Sequence, residues 1–170
     1  MQITVWQADS AGAPLQRTTA TLLEPGPDEA LLEVLHGGLC HSDLSMIDNS
    51  WGVSAFPLVP GHEVVGRVVQ VGAGVDPALV GELRGLGWIA GSCRHCSWCL
   101  GGEANLCADL EATVVGRSGG FASHVKAHQD WLIPTPRVSR RPMPAHCSAA
   151  ASPCSPPCWM RRYRPRRGSP

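Results

Sequence analysis

The hydrophobic residues of the first 136 positions fall in short runs that glycine and proline interrupt. Several runs are rich in Val and end at glycine turns, a pattern typical of β-strands. Residues 40–48 have polar side chains at their start and predict a short helix. Strands are predicted at Ala30–Val34, His62–Gly72, Gly85–Ala90, Val114–Gly120 (a strand leading into a turn), Phe121–Lys126 and Trp131–Pro134. Many short strands with glycine turns and little helix predict a mainly β fold that closes into a barrel.

Composition narrows the classes of protein that fit this pattern. Hydrophobic residues make up 44% of the 170 residues, which is enough to build a core. No stretch approaches the roughly 18 apolar residues that a membrane span needs. No signal-peptide pattern opens the chain, so we expect no membrane association and a cytoplasmic location.

The zero net charge hides a split near Pro136. All 14 acidic residues and only six basic residues precede it, so this part carries a charge of −8. The 34 residues that follow hold eight Arg and no acidic residue. Phosphate affinity comes from clustered Lys and Arg, so the acidic part argues against nucleic-acid binding. A nucleic-acid or partner-binding role of the Arg-rich tail stays as a third hypothesis, although the tail has few aromatic residues to stack on bases.

Four cysteines follow one another as Cys93-x2-Cys96-x2-Cys99-x7-Cys107. Four such thiolates can surround a tetrahedral Zn²⁺, and four protein ligands leave no open position, so the site would be structural. An iron–sulfur cluster is less favoured because its bacterial run needs the fourth Cys three residues on, followed by Pro. Disulfides and buried free thiols are the remaining alternatives. The spacing favours structural zinc in a lobe over residues 91–110.

Cys40 and His62 form a second candidate site, each at the edge of a predicted element. A thiolate and an imidazole supply two of the three protein ligands of a catalytic zinc site, which keeps one position open. Taken alone, this pair is weak evidence, and a core Cys with a satisfied His is the competing interpretation. Asp43 could accept a hydrogen bond from the second nitrogen of a ligating His and fix its tautomer.

Three stretches occur in the order of the zinc-dependent medium-chain alcohol dehydrogenases, and the chain resembles that family. They are Gly38-Leu-Cys40-His-Ser-Asp43, Pro60-Gly61-His62-Glu63-Val-Val-Gly66 and the four-cysteine loop. Residues 41–43, 47–53, 87–93 and 115–122 look like the cinnamyl alcohol dehydrogenase branch, which includes bacterial broad-range aldehyde reductases. The resemblance covers residues 26–136 and implies that residues 1–136 form a GroES-like catalytic domain.

The resemblance implies roles for individual residues. Around a catalytic zinc, Cys40 and His62 match ligands, Asp43 the partner of the ligating His, Glu63 the acid beside the metal, and Ser42 the proton-relay hydroxyl. The structural zinc lobe is matched by Cys93, Cys96, Cys99 and Cys107. His41 matches the residue that meets the cofactor pyrophosphate. Trp51 falls where this branch lines its substrate pocket, and a plain packing role is an equal alternative.

The implied activity is the interconversion of alcohols and aldehydes by hydride transfer with NAD(P), NADP being the branch's usual cofactor. Zinc acts on the substrate oxygen as a Lewis acid, and Ser42 relays the proton. The partners would be a small alcohol or aldehyde substrate and, for the intact enzyme, a second copy in a homodimer. The family also needs a Rossmann domain and a third zinc ligand, a Cys shortly after the barrel. We expect the Rossmann domain to be absent and this chain alone not to turn over, so an inactive zinc-binding fragment is the alternative.

Residues 137–170 lack Leu, Ile and Phe and show no periodicity, so a disordered tail is predicted. GC-rich coding DNA that is read out of frame gives the same composition, which is rich in Arg, Pro, Ala, Ser and Cys and lacks Leu and Glu. Codons for His146–Ser155, read from the last base of the His codon, permit Leu-Leu-Cys-Gly-Gly-Val-Thr-Val-Phe, which is similar to the family's third-ligand segment. Codons for Arg161–Arg166, read from the second base, permit Gly-Gly-Ile-Gly-Pro-Gly. We therefore hypothesise a frame-shifted tail, in which Cys147, Cys154 and Cys158 have no ligand role.

Overall fold

The computed structural model describes residues 1–135, and the predictions for residues 137–170 lie outside the described residues. The strands are β1 (Gln2–Gln7), β2 (Gln16–Thr21), β3 (Glu29–Gly37), β4 (Val64–Val71), β5 (Leu83–Leu86), β6 (Ile89–Gly91), β7 (Glu111–Ala112), β8 (His124–His128) and β9 (Ile133–Pro134). The helices are α1 (His41–Ile47) and α2 (Ser97–Leu100), with 3₁₀ turns at Pro77–Leu79, Ala104–Leu106 and Gln129–Trp131. The prediction of a mainly β fold is confirmed.

A five-stranded antiparallel sheet in the order β8-β3-β4-β5-β9 forms the centre of the described part. On β4 the residues at alternate positions, Val64, Gly66 and Val68, are buried, while Arg67 is exposed. This period of two is the mark of a sheet with one face against a core. The core under this face is made of Ala30, Leu32, Val64, Val68, Leu86, Ala90, Val125, Ala127 and Leu132.

The hairpin of β1 and β2 is a feature that the sequence patterns did not predict. Its strands are rich in Gln and Thr, and every residue of β2 except Ala20 is exposed, so little hydrophobic signal marks them. The hairpin is held from one side, where Ile3 and Val5 pack against Val59. Its backbone also joins the chain before β8, because the Trp6 N–H donates to the carbonyl oxygen of Phe121 at 2.8 Å.

Two strand predictions are wrong in detail. Gly85–Ala90 is not one strand but the end of β5 and the start of β6, which belong to different sheets. The chain changes direction at Gly87-Trp88, where Trp88 leaves the strand to pack beneath α1. Val114–Gly120 contains no strand, because Val114 is buried under α1 and the chain turns at Gly116, whose φ is +68°. The strand of this region, β7, lies earlier.

Helix α1 is seven residues long and rests on a small hydrophobic cluster. Met46 is fully buried there against Leu58 and Val114. Because the helix is fixed from below by this contact, its first turn has a defined position beside the start of β4. The described residues contain no helical layer over the sheet of the kind a Rossmann domain has. No described helix has the length and the apolar composition to traverse a lipid bilayer.

Candidate metal centres

The four cysteines of the 91–110 lobe come together as a compact sulfur cluster. The sulfur atoms of Cys93, Cys96, Cys99 and Cys107 all lie within 4.8 Å of one another. The Cys93 and Cys99 sulfurs are 3.8 Å apart. A tetrahedral zinc with Zn–S bonds of about 2.3 Å holds its sulfurs about 3.8 Å apart, so the donor set and its size fit zinc.

This geometry argues against two of the alternatives for the cysteine loop, a disulfide and an iron–sulfur cluster. A disulfide requires sulfurs about 2.0 Å apart, and all five described cysteines are free. A multi-iron cluster would spread its four sulfurs around a larger core. A single tetrahedral ion is the occupant that this cluster fits best.

The local fold turns backbone amides toward these sulfurs. The Cys96 N–H donates to the sulfur of Cys93 at 3.4 Å, and the Cys99 N–H donates to that of Cys96 at 3.5 Å. Hydrogen bonds from the backbone of His95 and Cys96 lower the pKa of Cys93 to about 6. The Cys93 N–H favours the Cys107 thiolate, but burial and the neighbouring sulfurs raise the pKa of Cys107 to about 11. The Cys107 sulfur therefore keeps its proton near neutral pH unless a cation at the cluster stabilises its thiolate.

The second cluster is assembled from two distant segments. Cys40 directly precedes α1, while His62 and Glu63 directly precede β4. One atom of each side chain lies within 4.8 Å of the others, and the His62 Nε2 is 3.9 Å from a Glu63 carboxylate oxygen. Glu63 was expected beside the metal, and its carboxylate lies close enough to Cys40 and His62 to be a third candidate donor. Three is the number of protein ligands that a catalytic zinc site uses when it keeps one position open.

Asp43 lies behind this cluster and is completely buried. Its Oδ2 accepts the Cys40 N–H at 2.9 Å, and its Oδ1 accepts the Gly61 N–H at 3.0 Å. The same Oδ1 is 3.0 Å from the Nδ1 of His62. A carboxylate at this distance keeps the proton on Nδ1 and leaves the Nε2 lone pair facing Cys40 and Glu63.

The charges of the second cluster support one another. Burial raises the pKa of Asp43, but the hydrogen bonds from His62, Cys40 and Gly61 lower it by more. The pKa of Asp43 therefore lies below its ordinary value, and the carboxyl group is ionised. Burial lowers the pKa of His62, and the contacts with Asp43 and Cys40 raise it by more. A hydrogen bond from the Ser42 backbone lowers the pKa of the Cys40 thiol. The cluster therefore favours the thiolate that a metal would bind.

The segment before His62 needs glycine. Gly61 has a φ of +101°, and a Cβ there would lie 2.6 Å from the backbone nitrogen of Phe121. Its carbonyl oxygen accepts the Gly120 N–H at 2.7 Å, which locks the segment against the chain before β8. The close approach brings the Gly61 N–H to Asp43 and places His62 against Cys40.

The remaining residues singled out by the sequence lie around this cluster. The Ser42 hydroxyl is 3.7 Å from the Cys40 sulfur. His41, the first residue of α1, is exposed. Trp51 is 50% exposed, and its ring contacts Trp88, with centroids 6.0 Å apart. The structure thus brings Ser42 to the donors, while His41 and Trp51 lie outside them.

Trp88 belongs to the site, although the sequence analysis gave it no role. Its ring packs edge-to-face on His62, with centroids 5.0 Å apart and planes at 76°. One feature of the sequence could have indicated Trp88: it follows Gly87 and directly precedes the apolar residues of β6. A glycine at this point allows the chain to bend, so that the Trp88 side chain need not continue a strand. A role in the site is invisible without knowing that the chain turns there toward α1.

A mainly β GroES-like fold with two cysteine-containing donor clusters is the framework of a metal-binding domain. The chain belongs to the family of the alcohol dehydrogenase GroES-like domain, whose profile matches residues 26–137. This agrees with the family resemblance of the sequence motifs.

Individual relatives are similar to parts of the chain. It is 52% identical over 112 residues to aldehyde reductase AdhA of Synechocystis, covering 66% of this chain and 33% of that protein. It is 39% identical over 138 residues to a probable cinnamyl alcohol dehydrogenase 2 of Nicotiana tabacum, covering 77% of this chain and 39% of that protein. The chain thus spans between a third and two-fifths of the length of these relatives.

Solved structures show the same fold. A cinnamyl alcohol dehydrogenase from Sorghum bicolor superposes with a TM-score of 0.76 at 34% identity, covering 81% of this chain and 41% of that one. A putative zinc-binding dehydrogenase from Sinorhizobium meliloti, solved bound to NADP, superposes with a TM-score of 0.69 at 30% identity, covering 81% and 39%. The fold of residues 1–135 is therefore that of the GroES-like part of such enzymes.

Proposed function

We propose that this chain is the metal-binding part of a zinc-dependent oxidoreductase that interconverts alcohols and aldehydes with NADP or NAD. The names of the relatives, an aldehyde reductase and cinnamyl alcohol dehydrogenases, support this reaction class. NADP in the similar zinc-binding dehydrogenase supports the cofactor. In this proposal residues 1–136 form the catalytic domain, and the activity belongs to a protein with the length of the relatives.

The observation that carries the proposal is the cluster of Cys40, His62 and Glu63 with Asp43 behind it. A core Cys and a satisfied His would not need a third donor within 4.8 Å. Nor would they need a buried carboxylate that fixes the tautomer of His62. These features together are what a zinc with one exchangeable position requires.

The chain's own residues divide the work of the site. When bound, zinc supplies Lewis acidity at the substrate oxygen, and the nicotinamide supplies or accepts the hydride. Asp43 keeps the His62 Nδ1 protonated, so Nε2 stays available as a donor atom. Ser42, beside Cys40, holds a hydroxyl that can take or give the substrate proton. His41 and Trp51 are proposed to meet the cofactor pyrophosphate and to line the substrate pocket, because both lie exposed near the cluster.

The sulfur cluster has a different proposed role. Its four cysteines fill all positions of a tetrahedral ion, so a zinc held there has no place for substrate. The lobe between β6 and β7 has only two short helical turns of its own. A structural zinc would hold this segment together, as in small domains that fold only with their metal.

The test is NADPH-dependent reduction of an aromatic aldehyde, followed by the nicotinamide absorbance. The proteins are the 170-residue chain and the product of a gene resequenced from codon 130 onward. The product with a restored frame is expected to reduce the aldehyde, and Ser42→Ala is expected to lower its kcat about 10²-fold or more. Ser50→Ala, an exposed position beyond α1, is the matched control and is expected to leave kcat unchanged.

Two results would change the proposal. An extended protein that binds zinc but reduces no aldehyde would contradict it. A resequenced gene that gives the same 170 residues, with zinc bound and no turnover, would favour the alternative of a catalytically inactive zinc-binding fragment.

A further inference from the structure

The imidazole of His62 is held from two directions. Asp43 is 3.0 Å from its Nδ1, and the ring of Trp88 stands edge-to-face against it at 5.0 Å between centroids. His62 itself is 7% exposed, so these two contacts and the donors of the cluster surround it.

The hydrogen bond to Asp43 does not fix the ring by itself. A single contact at Nδ1 defines one point of the imidazole, and the plane can still rock about the line that joins Nδ1 to the carboxylate. A rocking ring would move Nε2 out of the plane in which it faces Cys40 and Glu63. Terminal torsions of His side chains are broad, so packing has to choose the plane.

Trp88 is well placed to make this choice because it is itself fixed. Its carbonyl oxygen accepts the Thr113 N–H at 2.8 Å. Its ring packs on the cluster of Met46, Leu58 and Val114 that also supports α1. The same hydrophobic floor therefore positions the helix that follows Cys40 and the ring that touches His62.

We propose that Trp88 is a positioning residue that sets the plane of the His62 imidazole, so that Nε2 faces a metal together with Cys40 and Glu63. This inference rests on the proposed function, because it requires a metal at the second cluster.

Trp51 gives an internal comparison. It contacts Trp88 at 6.0 Å and is half exposed, so it lies one ring further from His62. Replacing Trp51 should change the metal site much less than replacing Trp88. A role confined to lining a pocket would not produce this order.

The experiment is a Co²⁺ titration of the full chain after the sulfur cluster has been filled with Zn²⁺. The absorption bands of Co²⁺ at the second cluster are identified as those lost in Cys40→Ser. Trp88→Leu is expected to weaken this Co²⁺ binding about tenfold, the lower end of the range for residues that orient a metal ligand. It should also shift the visible bands, because the ligand field changes when the ring tilts. Trp88→Phe keeps an aromatic face and is expected to stay within about twofold of wild type.

Trp51→Leu and Trp6→Leu are the controls, the latter a 49% exposed tryptophan on β1. Both are expected to bind Co²⁺ like the wild type within about twofold. Unchanged affinity and unchanged bands in Trp88→Leu would overturn the inference while the proposed metal site stands. Equal losses in Trp88→Leu and Trp88→Phe would overturn the aromatic contact as the cause. A wild-type chain that binds no Co²⁺ at the second cluster would instead refute the proposed function, and the inference with it.

Discussion

The two donor clusters differ in how the chain builds them. The sulfur cluster draws all four donors from one loop between β6 and β7, and its atoms are already close in sequence. The second cluster joins the residue before α1 to two residues before β4, and it depends on a buried carboxylate and a glycine for its shape. A local loop can be closed by a metal, whereas a site assembled over distance must be prepared by the fold. We therefore expect the two clusters to fail in different ways.

The largest expected effect is the loss of the metal from the sulfur cluster. Cys107→Ser should release the ion and destabilise the chain by about 4 kcal/mol or more, since metal loss is among the few causes of such values. Zinc content and urea unfolding would measure it. Cys40→Ser is the comparison at the second cluster, where the fold is expected to lose much less stability. Similar losses in both variants would remove the distinction between a metal-closed and a fold-prepared site.

Asp43→Asn should have the next largest effect on stability. The amide replaces an ionised, fully buried acceptor that serves Cys40, Gly61 and His62, and one of its faces becomes a donor opposed to an N–H. We expect a loss of about 3 kcal/mol in urea unfolding, together with weaker metal binding at the second cluster only. Asp48→Asn, an exposed position after α1, is the control. A variant as stable as wild type would show that the carboxylate does not prepare the site.

Gly61→Ala tests the backbone behind His62. The added Cβ meets the Phe121 backbone at 2.6 Å in addition to the positive φ, so we expect a loss of about 3 kcal/mol in chemical unfolding. Gly116→Ala separates the two causes, since its φ is +68° and no atom lies within 4 Å of the added Cβ. That variant should lose only about 1 kcal/mol, the cost of the left-handed conformation. Equal losses in the two variants would mean that the contact with Phe121 adds nothing to the destabilisation caused by the positive φ.

The smallest effect concerns a region away from both clusters. Burial raises the pKa of Glu29, but Lys126 at 2.8 Å, the Gly26 N–H and Arg117 lower it below 4.5 overall. The carboxylate therefore adds stability above pH 4.5, and this contribution is lost as the pH falls through the lowered folded-state pKa. Glu29→Gln should cost up to about 1 kcal/mol near neutral pH and nothing in acid, measured by urea unfolding at several pH values. Glu33→Gln, an exposed position on the same strand, is the matched control.

The sequence predicted best what is local. The spacing of Cys93, Cys96, Cys99 and Cys107 is enough to predict the sulfur cluster, because a loop of that length can hardly avoid bringing them together. The run of valines in β4 likewise predicts a strand, because β-branched residues favour the extended backbone. Family motifs placed Cys40, His62 and Asp43 in one site before any distance was known.

What the sequence did not predict depends on the direction of the chain in space. The hairpin of β1 and β2 carries too few apolar residues to be recognised, and it is held by contacts with residues far away in sequence. Trp88 was read as part of a strand, because nothing local shows that the chain turns there toward α1. Glu63 as a third donor emerges only from the distance between its carboxylate and His62.

The most direct test of two separate metal sites is the zinc content of the purified chain, measured per polypeptide together with that of Cys40→Ser and Cys99→Ser. We expect two zinc ions in the wild type, one in Cys40→Ser, and a loss of the tightly held ion in Cys99→Ser. One zinc ion in both the wild type and Cys40→Ser would contradict a metal at Cys40, His62 and Glu63 and leave the sulfur cluster as the only metal centre of residues 1–135.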